Sequence, residues 1–385
     1  MIAHAVRVTE KFGPEGREAE IGDVVNVAVD APFLLDCGRE IRDVPLAFQT
    51  YGTLNAGKDN AILIFHPLTC DQYVCGAHPV TGRPGWWERA VGPGKALDAD
   101  KYFVICANVI GGCMGSFGPK TIDPETDKPY GVTFPVVTIR DMASIHKPLL
   151  DMLGIKTLHA LVGASLGGMM ALEWALLYPD SLRRMVLVAS GFRQSPQNIA
   201  FNEIGRQAVM ADPEWRGGRY LEEGTFPAKG LAVGRMSAHV TFLSPQAIEE
   251  KFGRGFQHDE GARFGFDADF RIESYLRHQG MTFVDRFDPN SYLYLSRATD
   301  YFDVTKHGTK KLPALLAPLR QSALTVISFS SDWRCPTEEA RRITHAAMGA
   351  GLRVSGVEIA TDKGHDAFLL DEPAFYDVLA GAVAS

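Results

Sequence analysis

Three residues far apart in the chain are of the types that work as one chemical unit. Ser165 sits in Gly163-Ala164-Ser165-Leu166-Gly167, between the apolar pair Leu161-Val162 and a helix-forming stretch that runs to Tyr178. A strand, a sharp turn and a helix form the setting in which a Gly-x-Ser-x-Gly serine stands exposed on a strained turn, tolerated because its flanking glycines carry no Cβ. A serine hydroxyl is a poor nucleophile until a histidine takes its proton and a carboxylate orients that histidine. Both follow in the required order. Asp332 ends the apolar, β-branched run 323–332, and His365 lies in Lys363-Gly364-His365-Asp366, after the alternating run 354–359 and before a helix predicted over 373–383. Taken singly, each reads as well as a strand-capping acid or a loop histidine bonded to backbone. Serine, acid and histidine in order, each at a strand's C-terminal end, predict acyl transfer through an acyl-serine. The developing oxyanion would meet the N–H of Leu166, at the start of the serine's helix. A second donor would be the N–H of Leu68 in His66-Pro67-Leu68-Thr69, because Pro67 has none.

Such residues need a sheet to hold them. Runs 60–66 and 102–110 are apolar stretches with the length of buried parallel strands, 184–190 is the next strand, and 323–332 is a further apolar, β-branched one. Segments 24–29 and 44–51 suit antiparallel strands at the start of a mixed sheet. Pro45 cannot donate to a ladder, so the second of these is expected at an edge or just after the proline. Between about 194 and 301 the strand pattern stops, and segments such as 199–210 and 230–239 have helical spacing. The expected organisation is an α/β core of residues 1–193 and 302–385, a mostly parallel sheet flanked by helices, with residues 194–301 inserted as a helical lid. The glycine-rich stretch 111–119 reads as a tight loop lining the pocket; no Gly-Lys-Ser/Thr follows to make it a phosphate cradle.

A chain of 385 residues with 46% hydrophobic content can bury a sizeable core. Its net charge of −7 offers no basic patch, so neither a nucleic acid nor an anionic membrane is an expected partner. The N-terminus lacks the apolar centre of a signal peptide and no run reaches membrane-spanning length, which points to the cytoplasm. Six cysteines are too few for a disulfide scaffold, and Cys37, Cys106 and Cys113 read as small core or near-core residues. Stretch 66–78 holds two cysteines and two histidines, but neither a Cys-x-x-Cys pair nor a helical histidine pair, so no metal is expected.

The chain resembles the homoserine O-acyltransferase family of the α/β-hydrolase fold along nearly its whole length. The matching pieces include Phe48-Gln49-Thr50-Tyr51-Gly52, His66-Pro67-Leu68-Thr69, Asn108 to Cys113, Thr138-Ile139-Arg140-Asp141, Glu273-Ser274-Tyr275-Leu276, Arg286-Phe287-Asp288 and Gly364-His365-Asp366. The resemblance implies Ser165, Asp332 and His365 as a catalytic triad, Arg235 as partner of the homoserine carboxylate and Asp366 as partner of its ammonium. It also implies acyl-CoA as co-substrate with no further cofactor, a place in methionine biosynthesis, and a homodimer. Phe242 stands where the family often has tyrosine. On the acyl group the residues point two ways. Arg334, two positions after the triad acid, resembles succinyl-specific members, whereas Thr138 to Met142 resembles acetyl-specific ones. Acetyl is preferred here, also because arginine is usually a solvated surface residue. Homoserine succinylation and plain ester hydrolysis by the same triad are the alternatives.

Overall fold

A computed structural model describes residues 5–28, 30–259, 261–306 and 311–384. Its centre is a nine-stranded sheet. In chain order the strands are β1 (Val6–Phe12), β2 (Arg17–Val27), β3 (Val44–Tyr51), β4 (Ala61–Phe65), β5 (Phe103–Ala107), β6 (Ala160–Ala164), β7 (Arg184–Val188), β8 (Ala323–Phe329) and β9 (Arg353–Ile359). Their order across the sheet is β1-β2-β3-β5-β4-β6-β7-β8-β9; β1, β2 and β3 are antiparallel to their neighbours, and every pair from β5 to β9 is parallel.

β4, β5 and β6 are buried at every residue, as strands covered on both faces must be. Alternate side chains enter different cores. Ile62 and Ile64 of β4 pack with Phe375 and Leu379 of α10 (Pro373–Ala384), whereas Leu63 and Phe65 pack with Met170 and Trp174 of α3 (Leu166–Leu177). Two short helices precede α3: α1 (Ile139–Ser144), opened by a Thr138–Asp141 capping box, and α2 (His146–Leu153). The last crossover is α9 (Thr337–Gly349), between β8 and β9.

After β7 the chain leaves the sheet for α4 (Pro196–Ala211), α5 (Ala228–Phe242), α6 (Pro245–Phe252), α7 (Arg271–Val284) and α8 (Pro289–Tyr301). The two ends of this insertion lie side by side. Gln194 N–H donates to Phe302 O at 2.9 Å and Val304 N–H to Phe192 O at 3.1 Å. Within it, Asn202 of α4 bonds Asp300 of α8 at 2.8 Å and the buried Arg206 meets the same carboxylate at 2.7 Å.

Four sequence expectations change. The strand expected over 24–29 ends at Val27, and Val29 lies outside the described residues. Pro45 is inside β3, which is an interior strand. β5 pairs only with Phe48–Tyr51, so no strand faces Pro45 on that side, and its carbonyl accepts from Phe117 N–H at 2.8 Å instead. The glycine-rich loop therefore buttresses β3: Ser116 Oγ accepts from Ala47 N–H at 3.0 Å and donates to Asn108 O at 2.6 Å. It does not line the serine's pocket. Cys37 is exposed, whereas Cys106 and Cys113 are buried as expected.

Candidate active site

The β6–α3 turn is dictated by clearance. A Cβ on Gly163 would lie 2.1 Å from Gly167 O, and one on Gly167 only 1.9 Å from Phe65 O on the neighbouring strand. Glycine alone lets α3 start this close to the sheet. Between them Ser165 is held at φ 54°, ψ −118°, a conformation that costs a non-glycine residue of the order of 1–3 kcal/mol. It occupies the N-cap position, where serine usually turns its hydroxyl onto the helix N–H groups, yet it makes no such cap bond. Its Oγ lies 2.9 Å from His365 Nε2.

His365 opens a 3-10 turn, His365–Leu369, directly after β9's loop. Its Nδ1–H donates to Asp332 Oδ2 at 2.7 Å, which leaves Nε2 as the acceptor facing the serine. The other oxygen, Asp332 Oδ1, accepts from the N–H groups of Arg334 and Cys335 at 2.9 and 3.0 Å, so the carboxylate cannot swing away. Gly364 packs against the end of α5, where a Cβ would come within 2.6 Å of Phe242 O. The histidine's loop is thereby seated on the lid.

The loop after β4 is fixed by His66, which is buried. Its Nδ1–H donates to Pro67 O at 2.8 Å and its Nε2 accepts from Val109 N–H at 3.1 Å. Neither Leu68 N–H nor Leu166 N–H has a hydrogen-bond partner among the described residues. Both residues line the pocket that contains Ser165 and His365, a space of about 840 Å³.

The lid contributes much of that pocket's wall, including Arg235, Phe242, Asn198, Asn202 and Tyr292. Arg235 reaches Thr69 Oγ1 at 3.5 Å, and its guanidinium lies 5.2 Å from the Phe242 ring centre and 5.1 Å from that of Phe283. It has no carboxylate within 4 Å among the described residues. Burial, and then the neighbouring Arg286, work against its charge, and Asp366 works for it. Asp366 lines the same pocket; burial pushes its carboxyl up from the usual range, against the pull of His365 and Arg235.

Arg334 departs from the expectation of a solvated arginine. It lines the pocket, donates to Thr241 Oγ1 at 2.7 Å and lies 5.3 Å from the Phe242 ring centre on α5. The turn after β8 carries this side chain under the inserted helices, so arginine's usual preference for the surface does not hold at this position.

Asn198, Asn202 and Tyr292 carry no signal in the sequence that would single them out; they join the site only because α4 and α8 fold over the strand ends. Asp332, Cys335 and His365 are the one group with metal-ligand proximity among the described residues. Burial pushes the Cys335 thiol up, which keeps it protonated, and His365 Nδ1 is already spent on Asp332. That donor set suits a proton relay better than a cation. In the stretch 66–78, His78 is likewise spent, on Asp71 at 2.9 Å.

A family model described as "alpha/beta hydrolase fold" matches residues 76–352. Homoserine O-acetyltransferase of Rhodospirillum rubrum is 55% identical over 357 residues, covering 93% of this chain and 91% of that protein. Among solved structures, homoserine O-acetyltransferase from Bacillus anthracis superposes with a TM-score of 0.86 at 27% identity, over 94% of this chain and 97% of that one. A crystallised esterase superposes with a TM-score of 0.83 at 27% identity, over 94% of this chain and 98% of that one.

Proposed function

This chain belongs to the homoserine O-acetyltransferase family of the α/β-hydrolase fold, and on that footing we propose a ping-pong reaction in which Ser165 carries acetyl from acetyl-CoA to L-homoserine. The protein is an acyltransferase. The observation that carries the mechanism is the unbroken relay from Ser165 Oγ through His365 to Asp332, at 2.9 and 2.7 Å. As Oγ attacks the thioester carbonyl, its proton passes to His365 Nε2, and the N–H groups of Leu68 and Leu166 receive the oxyanion. The intermediate collapses by expelling the CoA thiolate, which takes the proton from His365 and leaves acetyl-Ser165. Homoserine then binds with its carboxylate on Arg235 and its ammonium on Asp366. His365 removes the hydroxyl proton, the oxygen attacks the ester, and the proton returns to Ser165 Oγ as O-acetylhomoserine departs.

An amino-acid substrate needs one fixed cation and one fixed anion, and Arg235 and Asp366 are available because neither has a salt-bridge partner within 4 Å among the described residues. The chemistry needs no metal and no cofactor beyond acetyl-CoA. The product would feed methionine biosynthesis, and we assign the enzyme to the cytoplasm; no helix among the described residues is long and apolar enough to cross a membrane. A homodimer fits the apolar side chains Val233 and Val240 that α5 leaves exposed.

Arg334 favours a second reading, a succinyl donor whose free carboxylate it would pair with. The experiment takes acetyl-CoA and succinyl-CoA in turn, with and without homoserine. The reading expects one equivalent of CoA released per Ser165 from acetyl-CoA alone, then turnover when homoserine is added. Steady CoA release that ignores homoserine would make the protein an esterase, and a succinyl preference lost in Arg334→Leu would reverse the donor.

A further inference from the structure

Beside the serine's pocket lies a second, open groove of about 910 Å³, formed where α4 begins and the turn after β8 passes beneath it. Met169, Gln194, Arg334 and Cys335 line both cavities, so nothing thicker than these side chains separates the groove from Ser165. Its outer wall carries Arg193 and Trp333. Arg193 is exposed and its guanidinium lies 5.4 Å from the ring centre of Phe192. No acid approaches it within 4 Å among the described residues. Trp333 is half-buried, 5.5 Å from the Phe201 ring. Among the described residues the one carboxylate on the groove wall is Glu339; its Oε1 is held by Arg342 at 2.9 Å, and its Oε2 is buried without a hydrogen-bond partner.

Taking the acetyl-CoA reading above as given, we propose that this groove is the binding site for the CoA moiety of the donor. The chemistry of CoA is segmented: a thioester end, a neutral arm with two amides, then phosphates and an adenine. The cavities are segmented in the same order. Ser165 lies at the inner end. Gln194 stands on the shared wall, and next to it Asn198 has a buried Oδ1 without a partner among the described residues, an acceptor an amide N–H of the arm would satisfy. At the outer end, a free guanidinium suits a phosphate and an indole suits a base to stack on.

The acceptor has its own end of the pocket. The Phe242 ring has Arg235 at 5.2 Å and Arg334 at 5.3 Å, so one aromatic ring touches both the guanidinium assigned to homoserine and the one shared with the groove.

The test measures Arg193→Glu and Trp333→Ala beside the wild type with three acetyl donors: acetyl-CoA, S-acetylpantetheine and 4-nitrophenyl acetate. Loss of one charge-assisted or stacking contact is expected to raise the KM for acetyl-CoA about tenfold in each variant. The homoserine KM should stay within about twofold, and serine acylation by 4-nitrophenyl acetate should match the wild type. With S-acetylpantetheine, which has no phosphate or adenine, the variants should be indistinguishable from the wild type. An acetyl-CoA KM that does not move, or a fall of all three donors together, would overturn the groove assignment. Failure of acetyl-CoA to acylate the wild type would overturn the donor reading itself, and the groove with it.

Discussion

Residue by residue, the site is built from groups denied their usual partners. Ser165 occupies a cap position without capping, and the Leu68 and Leu166 N–H groups have no hydrogen-bond partner among the described residues. Ser165→Ala removes one hydroxyl that faces the pocket and no core volume, so acetyl transfer should fall by at least a factor of about a hundred while the unfolding midpoint stays near that of the wild type. Substantial residual transfer would mean direct attack of homoserine on acetyl-CoA. Asp366 makes a sharper case. Its carboxyl is pushed up by burial, so it takes a proton on acidification earlier than an ordinary carboxylate. With the homoserine ammonium on Asp366, as proposed, only the charged carboxylate attracts it, and the homoserine KM should therefore climb as pH falls, beginning above the usual carboxylate range. Asp366→Asn should raise that KM and flatten its pH dependence, and Arg235→Leu should raise it while the acetyl-enzyme burst persists. A burst lost in Arg235→Leu would put the arginine in the donor site instead.

Among the helices and strands, the decisive feature is how closely α3 approaches the sheet. Because a Cβ at position 167 would stand only 1.9 Å from Phe65 O, Gly167→Ala must push the helix off β4. The expected loss is about 3 kcal/mol or more, read from denaturant unfolding, together with activity lost through displacement of Ser165. A variant as stable as the wild type would show that the turn has slack. This closeness was legible in the sequence, because Gly-x-Ser-x-Gly between an apolar run and a helix has few other physical meanings. So were β4 and β5, whose unbroken apolar runs can only be buried. β1 was not legible: Val6–Phe12 carries Arg7, Glu10 and Lys11 along an exposed edge strand, where charge guards against stray pairing and erases the apolar alternation. Pro45 misled because the rule against proline in an interior strand assumes a paired strand on both sides, and here a loop fills one side. Arg334 misled for a related reason, since a residue's type says nothing about a lid that folds over it. Asn198, Asn202 and Tyr292 carried no signal because their role depends on how the helices cross.

Across the molecule, burial of ionisable groups sets how the fold responds to acid. His146, on α2 behind β4, is fully buried, donates Nδ1–H to Met142 O at 2.8 Å and meets the Phe65 ring edge-on. Burial pushes it down to about 4, and His239, in the lid, down to about 3. Unfolded, each would titrate near 6.5. Below that value the unfolded chain binds protons the folded one refuses, so stability is lost as pH falls from about 6.5 toward 4. At pH 5 the gap of roughly 1.5 pH units corresponds to about 2 kcal/mol for one such histidine. Asp141 acts the other way: pushed up to about 6 by burial, it keeps its proton longer in the folded state, so its contribution diminishes as pH rises from about 4 to 6. The two effects separate when the wild type is compared with His146→Phe, which leaves Asp141 in place. Urea unfolding at pH 7 and pH 5 should show the variant losing about 2 kcal/mol less than the wild type between the two, whatever its stability at pH 7. Equal losses in both proteins would mean that His146 is protonated in the folded state at pH 5, and that the acid sensitivity of this fold lies elsewhere.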